Sequence, residues 1–288
     1  MYLLVYGVIN GVILSLISLG FALVYSISRV PNFAHGAVYI TTGYIVWIVL
    51  NKLHLPYVLA IVAGILAIGF IGALLYKLVL IRIRGLELSE IIATYAAGVA
   101  IIEGLRWGGL RGMTFTLPVF LDGSLNIYGV VVDYQRIIAV ILGAVMFLCL
   151  YSFTHHTKVG LALRGIAQDE RAAMMLGIDS DWTALLSLAI GSALAGFSAV
   201  ILLPLGNIVV EAGYSILIFS IAVCIMGGLG SLLGTVIASF MLGFALVLTD
   251  KFLSTHYQMV VALLTIIITL VLKPSGLLGK QKELEERV

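Results

Sequence analysis

The stretch Gly160–Asp181, GLALRGIAQDERAAMMLGIDSD, is polar and charged in a chain that is mostly apolar on either side. It carries Arg164, Gln168, Asp169, Glu170, Arg171, Asp179 and Asp181, with Lys158 just before it. Asp169 is a residue type that caps a helix N-terminus by accepting a hydrogen bond from a free backbone N–H. Ala172 and Ala173 favour helix. Gly177 followed by Ile178 reads as a left-handed stop with its apolar contact residue. The pattern predicts a helix of about two turns over 169–176, standing in water between two apolar spans. A short displayed helix is a docking element, so another protein is expected to push on this one.

Outward from that stretch, the composition fixes the class. Of 288 residues, 62% are hydrophobic and 10% charged, and the mean hydropathy is +1.18. A soluble domain averages about 25% charged residues, so this is a polytopic membrane protein with an all-α bundle, forming one domain over 1–288. A span needs roughly 20 apolar residues. The expected spans are 3–28, 31–50, 56–80, 88–109, 134–153, 183–206, 214–229, 232–250 and 257–272, nine in all, with eight possible because 214–229 is short and glycine-rich at its end. No Lys or Arg precedes Arg29, and the first apolar run is too long for a signal h-region, so residues 2–27 read as a first transmembrane helix.

Positive charge orients the spans. With the N-terminus outside, inner segments hold Arg29, Lys77, Arg82, Arg84, Lys158, Arg164, Arg171, Lys273, Lys280, Lys282 and Arg287, eleven in all; outer segments hold the other five, Lys52, Arg106, Arg111, Arg136 and Lys251. This bias predicts N-terminus out, C-terminus in, and the 154–182 loop in the cytoplasm. The outer loop at 110–133 has strand-like and turn-like pieces, and the tail 280–288 reads as a solvated end. Gly191, Ala195 and Ala199, Ser192 and Gly196, and Gly230 and Gly234 stand at four-residue spacing, which lets membrane helices approach closely. Cys149 and Cys224 lie in apolar runs and read as small core residues.

Two places offer polar groups at membrane depth. Pro31 breaks an apolar region and disfavours helix at Val30, and Asn32 and His35 stand at the break. They serve either a solute path, as in the broken helices of transporters, or a simple turn in which Asn32 caps the next helix. Glu103 lies within an apolar span, where an acid is costly; it lines a path or pairs with Arg106 three residues on. His155 and His156 have no ligand partners at metal spacing. The glycine cluster 227–234, GGLGSLLG, lacks the Lys of a phosphate loop, and no nucleophile or zinc motif is present. Energy to drive this chain is therefore expected to come from elsewhere, through the displayed helix, and no cofactor is expected here.

The chain resembles the permease subunit of branched-chain amino acid ABC importers, the smaller of its two permease types. The resemblance is carried by ISLGFALVYSISRVPNFAHGAVYITTGY at 17–44, ALRGIAQDERAAMMLGID at 162–179, IGSALAGFSAVILLP at 190–204 and CIMGGLGSLLGTVIASFMLG at 224–243. It implies a membrane pair with a second permease, two cytoplasmic ATPase subunits that bind ATP and Mg, and an extracytoplasmic substrate-binding protein. It also implies that Gln168–Ile178 contacts the ATPase. Arg171-Ala172-Ala173-x-x-x-Gly177 stands where many importers have Glu-Ala-Ala-x-x-x-Gly, with Glu170 immediately before Arg171; the Ile-x-Leu-Pro that follows in the general pattern is absent. Relatives of the family carry urea or short amides instead, and a stand-alone secondary transporter is the reading from a different class.

Overall fold

The computed structural model describes residues 1–110 and 115–279. Helix α1 (Tyr2–Ser28) is followed by α2 (His35–Asn51), α3 (Tyr57–Leu78), α4 (Glu87–Leu105), α5 (Tyr134–His156), α6 (Lys158–Gln168), α7 (Glu170–Met175), α8 (Ser180–Leu202), α9 (Ala212–Gly227), α10 (Leu232–Phe252) and α11 (Gln258–Leu272). Strands β1 (Ser124–Ile127) and β2 (Val130–Asp133) form an antiparallel hairpin before α5.

Helix α1 is apolar all round, and such a helix belongs in an interior. It runs through the middle of the bundle, touching α10, α8, α9 and α5, with Leu16 and Leu19 fully buried. Small residues set these crossings. A Cβ on Gly243 of α10 would overlap the Gly11 backbone of α1, and one on Gly20 would overlap the Gly191 carbonyl oxygen of α8. On α8, Gly196 meets Ile68 and Thr42, while Ala195 and Ala199 are buried. The four-residue spacing thus serves packing within this chain. Gly230 is a correction to that pattern. It sits in the turn before α10 with φ 86°, so Gly234 packs instead against Gly227 of α9.

Seven helical segments among the described residues are long and apolar enough to cross a membrane; they contain α1, α3, α4, α5, α8, α10 and α11. The other two expected spans are shorter. Helix α2 has 17 residues because Pro31 and Asn32 delay its start to His35. Helix α9 has 16 and stops at Gly228, φ 99°, giving about 24 Å at 1.5 Å per residue. Exposed Leu66, Phe70, Ile92, Leu148 and Val271 leave apolar outer faces on α3, α4, α5 and α11, as lipid or a neighbouring subunit requires.

The 154–182 loop holds two helices rather than the one expected. Thr157 caps α6 by accepting from the Gly160 N–H at 2.9 Å. Gly160, Leu163 and Ile166 then face inward at three-residue spacing, a stripe too short for a periodicity reading to separate from loop. The strand-like pieces of the 110–133 loop are the β1–β2 hairpin, turned at Tyr128 and Gly129, both with positive φ, a two-residue turn whose twist suits a hairpin. Arg111, Lys280, Lys282, Arg287 and the tail 280–288 lie outside the described residues.

Candidate coupling site and adjoining cavity

Helix α7 is closed at both ends by its own sequence. The Asp169 carboxylate accepts from the Ala172 N–H at 3.0 Å. At the other end the Gly177 N–H donates to Met174 O at 3.0 Å and the Ile178 N–H to Ala173 O at 3.1 Å. Those paired bonds, with Gly177 at φ 84°, form the Schellman stop, and its apolar residue is Ile178. Ile178 and buried Ala173 both lie over Gly165 of α6. What remains outward is Arg171, Ala172, Met174, Met175 and Leu176; Met175 is 88% and Leu176 83% exposed. A six-residue helix is far below the length that stands alone in water. It persists here because its caps and its two inward side chains fix it to α6.

A residue that sequence reading counted only as a loop charge holds this helix to the membrane bundle. Arg84, between α3 and α4, pairs with Glu170 at 2.8 Å and with Asp181. It also donates to the Ser180 hydroxyl and to the Tyr76 hydroxyl, the latter at 3.1 Å. Tyr76 in turn donates to Asp181 at 3.1 Å, and Ser180 donates to Glu170. The planar five-donor fork of arginine is what lets one side chain join the start of α7, the start of α8 and the end of α3. Glu170, rather than position 171, therefore carries the acid of the helix, and Arg171 is free to point outward. The signal available in sequence was Arg84 on the same side as the loop by the charge rule; its pairing across 86 and 97 residues has no local trace.

Arg164 and Gln168 do not join that cluster. They line a second cavity of about 650 Å³ on the other side of Arg29, with Ser26, His155 and Ser231. Arg29, left-handed at φ 57°, donates from its guanidinium to Ala167 O at 3.0 Å, tying the end of α1 to the last turn of α6.

Asn32 and His35 take separate roles. The Asn32 carboxamide oxygen accepts from the Ala34 N–H at 3.0 Å, closing the turn that opens α2. Asn32 also lines a cavity of about 920 Å³ bounded by α1, α3, α4, α7 and α8. The His35 ring bonds the Ile17 carbonyl at 2.9 Å and meets Phe21 edge-on at 5.6 Å, so it bolts α2 to α1 and is not among the residues lining that cavity. Glu103 is brought to neither. It pairs with Arg106 at 2.7 Å, which also reaches Glu211 at 3.1 Å, and its side chain is 54% exposed. It lies nine residues along α4 from Thr94, whose hydroxyl accepts from the Phe33 N–H. That places it about 14 Å away along the helix, and the structure gives it the look of an anchor with exposed Trp107.

A helical bundle with apolar outer faces, a short clamped helix and a polar cavity beside it defines a multi-span membrane protein. The comparisons make that specific. Residues 3–270 match the family described as branched-chain amino acid transport system / permease component, and the chain belongs to it. It is similar to the high-affinity branched-chain amino acid transport system permease protein LivH of Escherichia coli K12, 29% identical over 95% of this chain and 94% of that protein. It is also similar to BraD of Pseudomonas aeruginosa, 28% identical over 96% and 95%. The probable LivH of Methanocaldococcus jannaschii is 29% identical over 95% and 90%. Among solved structures, a chain of PsaBC from Streptococcus pneumoniae in complex with Fab shares the fold, with a TM-score of 0.52 and 15% identity over 100% of this chain and 96% of that one.

Proposed function

We propose that this chain is one of two permease subunits of an ABC importer, forms the path for branched-chain amino acids, and is driven by two cytoplasmic ATPase subunits that receive α7. A substrate-binding protein delivers the solute on the opposite side. The observation that carries the reading is the geometry of α7: capped at Asp169, stopped at Gly177, clamped through Glu170 to Arg84, with Met175 and Leu176 left bare. Rigid apolar anchors presented on a fixed element are what a partner's groove selects. Affinity purification from native membranes is expected to recover two ATPase subunits and a second permease. Recovery of this chain alone, with leucine uptake by it alone in vesicles, would favour the secondary-transporter reading. Uptake of urea or short amides, and not of leucine, by the reconstituted complex would change the substrate class while keeping the architecture.

The proposed topology is nine spans, α1 to α5 and α8 to α11, with the N-terminus outside and the C-terminus inside. It follows from the charge bias, with Arg84, Arg164 and Arg171 at one end of the bundle and Arg106 and Arg136 at the other. In intact cells a cysteine at Asp122 is expected to react with an impermeant maleimide, and one at Arg171 only after permeabilisation. The reverse pattern excludes the orientation.

Asn32 separates a pathway role from a turn-closing one. Asn32→Asp keeps an oxygen for the Ala34 N–H but places a negative charge in the cavity; the N-cap of α2 is Ala34, without a side-chain cap, so Asn32→Leu loses only the hydrogen bond that closes the preceding turn, about 0.5–1.5 kcal/mol. Both complexes are expected to assemble, and both to transport poorly. Normal uptake by Asn32→Asp would show that Asn32 does no more than close the turn.

A further inference from the structure

The inner end of the 920 Å³ cavity gathers buried polar groups whose hydrogen-bonding capacity the fold does not use up. Glu90, on α4, is 8% exposed. It accepts from the Gly85 N–H at 2.8 Å through Oε1, and its second carboxylate oxygen makes no hydrogen bond to the described residues. Asn32, 5% exposed, spends its amide oxygen on Ala34, while its NH₂ group has no acceptor among the described residues. Ser187 on α8 is buried, lines the same cavity, and its hydroxyl has no partner among the described residues. The two better-defined groups stand close together. Thr94, one helical turn on from Glu90, holds the Phe33 N–H that follows Asn32. Residues four apart lie about 5–6 Å apart on a helix face. The remaining inner wall is apolar: Val24, Leu80, Ala184 and Leu188 form one packed cluster and all four line the cavity.

Arg84, the cation that acts on the Glu90 carboxylate, is itself committed to Glu170 and Asp181, and the enclosed Ser187 hydroxyl has no partner among the described residues, whereas buried polar groups are ordinarily paired. A carboxylate, an amide donor and an aliphatic wall together match the three parts of a zwitterionic aliphatic amino acid. We infer that this cavity is a solute site inside the permease, in which Glu90 takes the α-ammonium group, the Asn32 amide donates to the α-carboxylate, and Val24, Leu80 and Leu188 receive the branched side chain. The inference deepens the proposed function and rests on it. The cavity opens beside α7, so its polar end lies where a movement of the docking helix reaches it through Arg84. A site of this kind binds in passing: its Arg84, Glu170 and Asp181 rim is charged and wet, which favours release.

The test uses the full importer reconstituted in proteoliposomes with its binding protein. Glu90→Gln preserves an acceptor for Gly85 and removes the charge. Losing the charged partner of the ammonium group is expected to lower leucine uptake about 10-fold or more, with subunit composition as in the wild type. Glu90→Asp, which keeps the charge, is expected to recover part of that uptake. A second measurement leaves Glu90 intact. In inside-out vesicles carrying Ala184→Cys, L-leucine is expected to slow modification by N-ethylmaleimide, and 4-methylpentanoate, which lacks the ammonium, is not. Wild-type uptake by Glu90→Gln, or equal effects of leucine and 4-methylpentanoate on Ala184→Cys, overturns the site. Failure of the wild-type complex to take up leucine at all sinks the proposed function instead, so the two are told apart.

Discussion

Gly177→Val is expected to lower productive coupling about 5- to 30-fold while the permease stays folded in the membrane. Gly177 has φ 84°, and a Cβ built there meets nothing within 4 Å. The effect is therefore one of backbone conformation, not of space. A left-handed position costs an L-residue about 1–2 kcal/mol, and a β-branched one is a true outlier there. That penalty corresponds to about a 5- to 30-fold loss in the population of the closed stop. Because α7 has six residues, losing the two bonds made by the Gly177 and Ile178 N–H groups frees its whole last turn and swings Met175 and Leu176 away from where a partner would meet them. Leucine uptake by the reconstituted complex and retention of ATPase subunits on purification are both expected to drop. Gly177→Asn is the control, since asparagine tolerates this conformation, and it is expected to keep most of the activity. Full uptake by Gly177→Val would remove the glycine stop from the coupling account.

Arg84→Met is expected to have the second large effect, by a different route. The substitution keeps an unbranched apolar stem but removes all five donors. Glu170 and Asp181, 48% and 55% exposed at their side chains, would be re-solvated, so the damage is not a large loss of stability. It is loss of position: α7 would no longer be tied to the ends of α3 and α8. The measurable consequences are faster trypsin cleavage at Arg171 and a fall in leucine uptake with basal ATP hydrolysis retained. Arg84→Lys is expected to restore little, because an ammonium cannot hold Glu170, Ser180, Asp181 and Tyr76 in one fork. Wild-type protease resistance and uptake in Arg84→Met would show that α6 contacts alone hold the helix.

The acid at position 170 stands one residue before the place where many ABC importers carry one, and it is turned to Arg84. With Arg171 outward and Glu170 turned to Arg84, this chain presents a basic and apolar surface at α7 rather than an acidic one. A partner groove that suits it would carry acidic residues around an apolar floor. That is a property of the pair, and it is read from which of two adjacent side chains the clamp takes.

Much of this was legible in the residues themselves. Hydropathy placed the helices because a backbone at membrane depth must satisfy its own hydrogen bonds, which leaves few conformations to choose among. The caps at Asp169 and Gly177 were legible because capping is local: donor and acceptor lie within three to five residues, and the left-handed site demands glycine. Asn32 was legible as a break because proline acts on its own neighbours. The tertiary structure alone decided the rest. Whether Asn32, His35 and Glu103 form one path depended on where α1, α2 and α4 stand. The fold sends His35 to the Ile17 carbonyl and Glu103 to Arg106, leaving Asn32 with Glu90, a residue that sequence reading passed over. Arg84 became the clamp only because the bundle brings residues 76, 84, 170, 180 and 181 together. Pairings over such separations are fixed by helix packing, through contacts such as Gly20 on Gly191 and Gly11 on Gly243, and no local pattern of residue types encodes them.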